Sequence, residues 1–250
     1  MGRKGGARHL KRMPAPAFWP LHRKEFQWAP KPVAGPHPAE KCLPLTLIVR
    51  DILHYAKNAR EAKIVLSEGR IKVDGKVRRE PKYPAGLMDV IEVPDAKSAF
   101  RILPSLGRGL DLVKIPKEES SFKLCRIEDI TTVRGGDVQL NLHDGRNILI
   151  KAKEPRSSVE ESFETFDSIQ LALKDKKILK RLKFGEGSYA IVTSGRNIGR
   201  SGKIVRLEDP TAARPGIVTI ESVQGETFQT TADYVFIVGN EKPLITLSGG

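Results

Sequence analysis

Between Asn58 and Val93 the spacing of apolar residues switches from a helical period to strict alternation, and glycine marks the switch. Ala62, Val65 and Leu66 lie three and four apart, so they share one face of a helix. Gly69 follows the last periodic residue, where a helix ending in a left-handed residue needs glycine. Ile71 and Val73 then alternate with Arg70 and Lys72, which predicts a strand with one apolar and one basic face. Asp74-Gly75 has the turn chemistry of a two-residue primed hairpin, whose central residues both take positive φ. Val77 opens the return strand, and Asp89 to Val93 predicts another. Pro81 and Pro84 keep the chain between them out of a central ladder. A short helix feeding a small hairpin-rich sheet is the fold that satisfies all of these constraints.

The order Ala62, Leu66, Gly69, Ile71, Val73, Gly75 resembles the S-four RNA-binding domain, a helix-helix-hairpin module. Two departures stand out. Ala59 sits where that family usually carries an Arg, with Arg60 next to it, and Leu87-Met88 separates Gly86 from Asp89 where the family ends in Gly-Asp. The run Tyr83-Pro84-Ala85-Gly86-Leu87-Met88-Asp89-Val90-Ile91, with Ile71 to Arg78 upstream, is similar to the archaeal and eukaryotic small-subunit ribosomal family S-four-e. Leu43 to Lys57 reads as the module's first helix. Leu45, Ile48, Val49, Ile52, Leu53 and Ala56 form its apolar stripe, and Pro44 stands in the first turn, where a missing N–H has no cost. His54 reads as a partly exposed helix histidine. Helix and hairpin together present Arg60, Lys63, Lys72, Lys76, Arg78 and Arg79, a basic face held in fixed geometry and so able to match one RNA shape.

A chain of 250 residues has room for two or three small domains, and its formal charge of +13 favours a polyanionic partner, either nucleic acid or an anionic membrane surface. No run reaches the roughly 18 apolar residues of a membrane span, and the amino terminus carries no apolar signal core. Cys42 and Cys125 lack metal-ligand spacing and read as reduced, packed thiols. We therefore expect a cytoplasmic protein with no cofactor, no metal and no membrane partner.

Arg3, Lys4, Arg8, Lys11, Arg12, Arg23 and Lys24 all precede the first acid, Glu25, and prolines from Pro14 to Pro38 interrupt the whole segment. Residues 1–42 thus read as an extended basic arm laid on phosphates and ordered only against something else. Its aromatics Phe18, Trp19, Phe26 and Trp28 read as anchors to the body of the protein in preference to base-stacking groups. Gly5-Gly6, His9 to Arg12 and Gly35-Pro36-His37 extend the S-four-e resemblance into the arm.

Beyond Asp95 the pattern weakens. Leu106-Gly107-Arg108-Gly109-Leu110-Asp111 is close to the Gly-Arg-Leu-Asp motif whose Asp is catalytic in pseudouridine synthases, but Gly109 interrupts it and no Thr-Ser-Gly-Leu follows. Asp111 reads as a turn residue. From Phe122 to Lys151 the chain alternates around turns at Arg134 to Asp137 and His143 to Arg146. Lys123-Leu124-Cys125 and His143-Asp144 match the central part of the ribosomal family. His143 has no nucleophile beside it and reads as a loop histidine. Ser168 to Phe184 fits either a basic helix or a hairpin turning near Asp175; the family pattern selects the hairpin.

After Gly187, a strand from Ser188 to Thr193 leads into a glycine-rich loop, Ser194 to Gly202, and a strand from Lys203. This pattern resembles a KOW motif, which implies a small barrel like an SH3 domain. Arg196, Asn197, Arg200 and Lys203 are its candidate phosphate partners. Val218 to Ile220, Thr227 to Thr230 and Tyr234 to Val238 complete the strand count. No Gly-Lys-Ser/Thr spacing supports a nucleotide loop.

The sequence thus predicts a mainly β chain with a small α+β module: arm 1–42, S-four-type domain 43–94, central β domain 95–184, KOW SH3-like barrel 185–240 and tail 241–250. With no catalytic constellation, we expect a binding protein. The resemblance, which spans Gly5 to Val238, implies a structural constituent of the small ribosomal subunit. Its expected partners are small-subunit ribosomal RNA and neighbouring ribosomal proteins, and no homo-oligomer is expected. An RNA-modifying enzyme of the pseudouridine-synthase type, or a transcription or translation factor with an S-four or KOW module, are the alternatives.

Overall fold

Strand pairing in the computed structural model, which describes residues 9–22, 24–107, 109–151, 163–208, 216–222 and 224–247, gives three five-stranded antiparallel sheets and two short pairs. Strand β1 (Leu10–Lys11) pairs with β2 (Trp28–Ala29), and Arg12 staples the chain between them by donating from Nε and Nη2 to the Leu21 carbonyl at 3.1 and 2.6 Å. Ala15, Trp19, Leu21 and Ala29 are buried in one core with Leu43 to Val49. Trp19 Nε1 donates to the Cys42 carbonyl at 2.8 Å. Two of the four arm aromatics are therefore anchors: Trp19, 2% exposed, and Phe18, packed on the same core. Phe26 and Trp28 are not.

The continuous helix expected over Leu43 to Lys57 is absent. Leu43 lies in β3 (Cys42–Pro44), a helical turn α1 (Leu45–Leu47) follows, and the chain widens into a π-helical turn at Ile48–Ile52. Leu53 N–H reaches back to Ile48 and Tyr55 N–H to Val49. His54, at φ 55°, then ends the helix in the left-handed region. Leu45 to Val49 are all buried, so this segment is enclosed on every side and has no solvent face to complete an amphipathic helix. Helix α2 (Ala59–Ser67) forms where the periodicity places it. The Asn58 side chain accepts from Glu61 N–H at 2.9 Å and the Glu61 carboxylate accepts from Lys57 N–H at 2.8 Å, a reciprocal cap. Ala62 and Leu66 point inward, and Gly69 ends the helix at φ 78°.

Strands β4 (Lys72–Val73) and β5 (Lys76–Val77) flank Asp74 and Gly75, whose φ angles of 50° and 74° make the expected primed turn. Strand β6 (Pro84–Gly86) pairs with β3. Strands β7 (Val90–Val93), β8 (Ser98–Ser105) and β9 (Gly109–Ile115) complete a sheet of order β5-β4-β7-β8-β9. The division expected between residues 94 and 95 falls inside this sheet. Asp111, expected in a turn, is in β9 opposite Leu103. Pro104 is accommodated because β7 pairs only with Ser98 to Arg101, which leaves that side of β8 open at residue 104.

The central sheet contains β10 (Phe122–Thr132), β11 (Val138–Leu142), β12 (Asn147–Ile150), β13 (Ser168–Ala172) and β14 (Ile178–Leu182), in the order β12-β11-β10-β13-β14. The β13–β14 pair is the hairpin expected over Ser168 to Phe184. The last sheet holds β15 (Tyr189–Val192), β16 (Ser201–Glu208), β17 (Ile217–Ser222), β18 (Thr227–Thr231) and β19 (Val235–Gly239), in the order β18-β17-β16-β15-β19. Arg126 joins the two by donating from Nη1 to the carbonyls of Asp233 and Val235 at 2.6 and 2.9 Å. Residues 242–247 are docked, with Ile245 buried and Thr246 Oγ1 bonded to Glu119 at 2.6 Å. Cys42 and Cys125 are free and buried.

Candidate nucleic-acid interface

Helix α2 turns Ala62 and Leu66 into the core, so Arg60 and Lys63 project to solvent on its other side. The hairpin that follows adds Lys72, partly covered, and the exposed Lys76 and Arg79. A Cβ on Gly69 would lie 3.7 Å from Arg79 Nε, so the Arg79 side chain crosses the carboxyl end of α2, where its charge meets the helix dipole favourably. Arg78 stacks its guanidinium 4.5 Å from the Tyr83 ring centroid. Lys76 and Arg78 also line a cleft of about 800 Å³ between the S-four-type hairpin and the central sheet, together with Arg146 and Lys176. The structure thus brings six expected residues onto one helix and the hairpin that follows it, and adds Arg146 and Lys176, which sequence reasoning missed.

The glycine loop lies elsewhere on the surface, in the last sheet. Arg196, Arg200 and Lys203 are exposed. Arg200 stands 5.5 Å from the Phe228 ring centroid and 3.7 Å from Glu226. Asn197 differs from its neighbours, because its Nδ2 donates to the Gln229 carbonyl at 3.1 Å and holds the loop shape. The loop is docked as well as exposed: at Gly199, φ 82°, an added Cβ would come within 2.6 Å of Leu106 N. Gly109, at the other end of the same β8–β9 turn, abuts the Phe18 ring of the arm. One hairpin tip therefore supports both the arm and the glycine loop, which gives the Leu106 to Asp111 segment a packing role. The Asp111 carboxylate accepts from the adjacent Leu112 N–H at 2.8 Å. Of the arm residues, Lys11 and Lys24 are exposed and Arg12 is tied to Leu21; Arg3, Lys4, Arg8 and Arg23 lie outside the described residues.

Beneath these surfaces is a buried ionic hub. Lys123 Nζ, on β10, donates to Asp74 at 3.1 Å, to Asp144 at 3.0 Å and to Asp89. Arg146 joins Asp74 and Asp144, and His37 of the arm bonds Asp89 at 3.1 Å. Burial alone would depress the Lys123 ammonium, but Asp89 and Asp74 more than reverse this and hold its pKa well above the usual value. Burial would raise the Asp89 carboxyl; Lys123 and then His37 hold it below the ordinary carboxylate range. Asp144 is lowered in the same way against its burial, first by Lys123. His143, at the rim, accepts on Nδ1 from Arg126 N–H at 3.1 Å, and its Nε2 is 3.2 Å from the Leu87 carbonyl. Burial, then Lys123, pushes its pKa down to about 3, so the ring is neutral. The hub is scaffold: it locks arm, first sheet and central sheet into one frame. Its one signal in the sequence was a lysine directly before the apolar pair Leu124-Cys125.

Among the described residues, no group of His, Cys, Asp and Glu is placed to hold a metal ion, and no helix is long and apolar enough to cross a membrane.

Three family models match the chain: the RS4NT (NUC023) domain over residues 4–40, the S4 domain over 48–91 and Ribosomal family S4e over 96–178. The chain is 51% identical to the small ribosomal subunit protein eS4 of Staphylothermus marinus, covering 100% of this chain and 99% of the relative. It is 50% identical to that of Aeropyrum pernix over the same shares. The crystal structure of the 30S ribosomal protein S4e from Thermoplasma acidophilum superposes with a TM-score of 0.66 at 30% identity, covering 80% of this chain and 96% of that one. With relatives about half identical along its whole length and three family models in the expected order, the chain belongs to the ribosomal S4e family.

Proposed function

We propose that this protein is a structural constituent of the small ribosomal subunit, located in the ribosome, that binds ribosomal RNA and carries no catalytic activity. The observation that carries this reading is the end-to-end identity to proteins named small ribosomal subunit protein eS4. Its units are the arm 1–42, the S-four-type domain 43–94, the central domain 95–184, the last domain 185–240 and the tail 241–250, with the first sheet running on across residue 94. The last domain is a small barrel of the KOW, SH3-like kind, left open between β18 and β19. Register shifts at Tyr189/Ala190 and Ile204/Arg206 support this, because bulges bend a sheet toward closure.

RNA is held in two ways. Lys11, Arg12, Lys24 and the further arm cations Arg3, Lys4, Arg8 and Arg23 neutralise phosphates, as do Arg196, Arg200 and Lys203 of the glycine loop. Arg60, Lys63, Lys72, Lys76, Arg78 and Arg79, fixed by α2 and its hairpin, fit one RNA shape. Neighbouring ribosomal proteins cover part of the remaining surface. Sedimentation tests the proposal: the protein stays with small subunits through a moderate salt wash. Complete release into the free fraction identifies a cycling factor instead.

A further inference from the structure

The chain has two tryptophans, and they lie in opposite environments. Trp19 is sealed in the core, whereas Trp28 is 52% exposed and Phe26, two residues before it, 48% exposed. Rings of this size are costly to leave in water, and a pair of them on one short segment marks a contact surface. Each carries a cation. The Arg50 guanidinium lies 5.2 Å from the Phe26 centroid, and Lys11 Nζ lies 5.7 Å from that of Trp28. His9 meets Trp28 edge-on at 5.6 Å. Phe26 also lines a cleft of about 650 Å³ with Arg12, Trp19, Arg50, His54 and Lys57, within the range of about 300–1,000 Å³ that small organic ligands fill. Two acids reach this cleft, Glu25 and Asp51, and Asp51 is bonded to Arg50 at 2.8 and 2.9 Å.

We infer that Phe26 and Trp28 are a stacking platform for unpaired bases of single-stranded RNA, with Lys11, Arg12 and Arg50 meeting the flanking phosphates. This rests on the RNA-binding reading above and adds the class of RNA element recognised. Exposed aromatic rings framed by cations, with a cleft beside Phe26, match a nucleotide, apolar on its base and anionic on its backbone. A protein partner fits less well, because it would bury Lys11 at an interface centre, where lysine is depleted.

The test uses the full-length protein and its own fluorescence. An unstructured oligoadenylate should quench and shift the exposed tryptophan signal, while inorganic polyphosphate, a polyanion without bases, should not. Trp28→Phe should abolish the quench, since it leaves only the buried Trp19. Phe26→Ala and Trp28→Ala should each weaken oligoadenylate binding roughly 5- to 160-fold, on a stacking contribution of about 1–3 kcal/mol per base. The salt slope should not change, because no phosphate contact is lost. Equal quenching by polyphosphate overturns the inference. So does unaltered oligoadenylate affinity in both alanine variants, or a Trp28 shielded in intact subunits yet silent to oligoadenylate, which assigns the face to a protein. Failure of the wild type to bind any RNA, duplex included, overturns the underlying reading as well.

Discussion

The Lys123 ammonium donates to the Asp74 carboxylate over 3.1 Å, joining the central sheet to the turn of the first hairpin with both side chains buried. Removing one member of a buried, hydrogen-bonded charge set costs about 3–5 kcal/mol. Lys123→Met should therefore destabilise by roughly that amount near neutrality. The sign of the pH dependence should also reverse. In the wild type, Asp89 and Asp144 are held below their unfolded value of about 3.9, so their stabilisation is complete above that pH and is lost as pH falls through the folded values. Without Lys123, burial raises the carboxyls, and the variant should be more stable in mild acid than at neutral pH. Calorimetry from pH 4 to 8 checks this; parallel curves for both proteins would refute it.

A second acid-sensitive group acts at higher pH. His143 is kept neutral, with a folded pKa of about 3 against about 6.5 when unfolded. Below pH 6.5 the unfolded chain binds a proton that the native state refuses, so stability falls with falling pH across this window. Between pH 6.5 and 5 the loss is about 1–2 kcal/mol. His143→Asn, whose side-chain oxygen can still accept from Arg126 N–H, should flatten the profile over this interval. Denaturant titrations at fixed pH values provide the measurement.

Local chemistry was legible in the sequence where one residue decides the backbone. Gly69, Asp74 and Gly75 have the φ angles their turns require. The β8–β9 hairpin was not legible, because its strand carries Arg101, fully buried, and Pro104, tolerated only because β7 has ended. Arg101 satisfies Nη2 on the carbonyls of Glu119 and Phe122, and burial lowers its pKa to about 10. No local pattern marks such a residue as interior. The first helix misled for the opposite reason: Leu45 to Val49 are buried on every side, with only Thr46 polar, and periodicity cannot distinguish an enclosed turn from an amphipathic helix. The hub was not legible as a unit because His37, Asp74, Asp89, Lys123 and Asp144 come from five separate stretches, each of which looks like a polar turn or strand end.

The glycine loop separates binding from folding. Arg196→Ala with Arg200→Ala should change stability by no more than about 1 kcal/mol, since exposed ion pairs and cation–π contacts are each worth about that or less. Affinity for ribosomal RNA should fall for all sequences alike. Gly199→Ala should do the reverse. It forces a side chain into the left-handed region and against the Leu106 backbone, which costs roughly 1 kcal/mol or more. Paired melting and RNA titrations of both variants decide whether the loop has these two separable roles.

The arm is where sequence and structure give different forecasts. Prolines and clustered cations predict a segment that adds affinity and leaves the fold alone. The structure instead buries Ala15, Trp19 and Leu21 in the core of Leu43 to Val49 and bonds Trp19 to the Cys42 carbonyl. Deleting residues 1–24 therefore removes a core tryptophan, and loss of a buried Trp side chain alone costs about 3–5 kcal/mol. The melting temperature should drop by many degrees, and Trp19→Ala should reproduce most of the drop. The charge effect is separable. Each phosphate released changes the log–log salt slope by roughly 0.7–0.9, so loss of about half of the seven arm cations should make the slope shallower by roughly 2–4 units. A variant with Lys4, Arg8, Lys11 and Lys24 replaced by Gln should show this slope change at nearly wild-type stability, while Trp19→Ala keeps the wild-type slope under conditions where it remains folded. If the Gln variant melts early, the arm cations belong to the fold; if its slope is unchanged, the arm is an anchor that never touches phosphate.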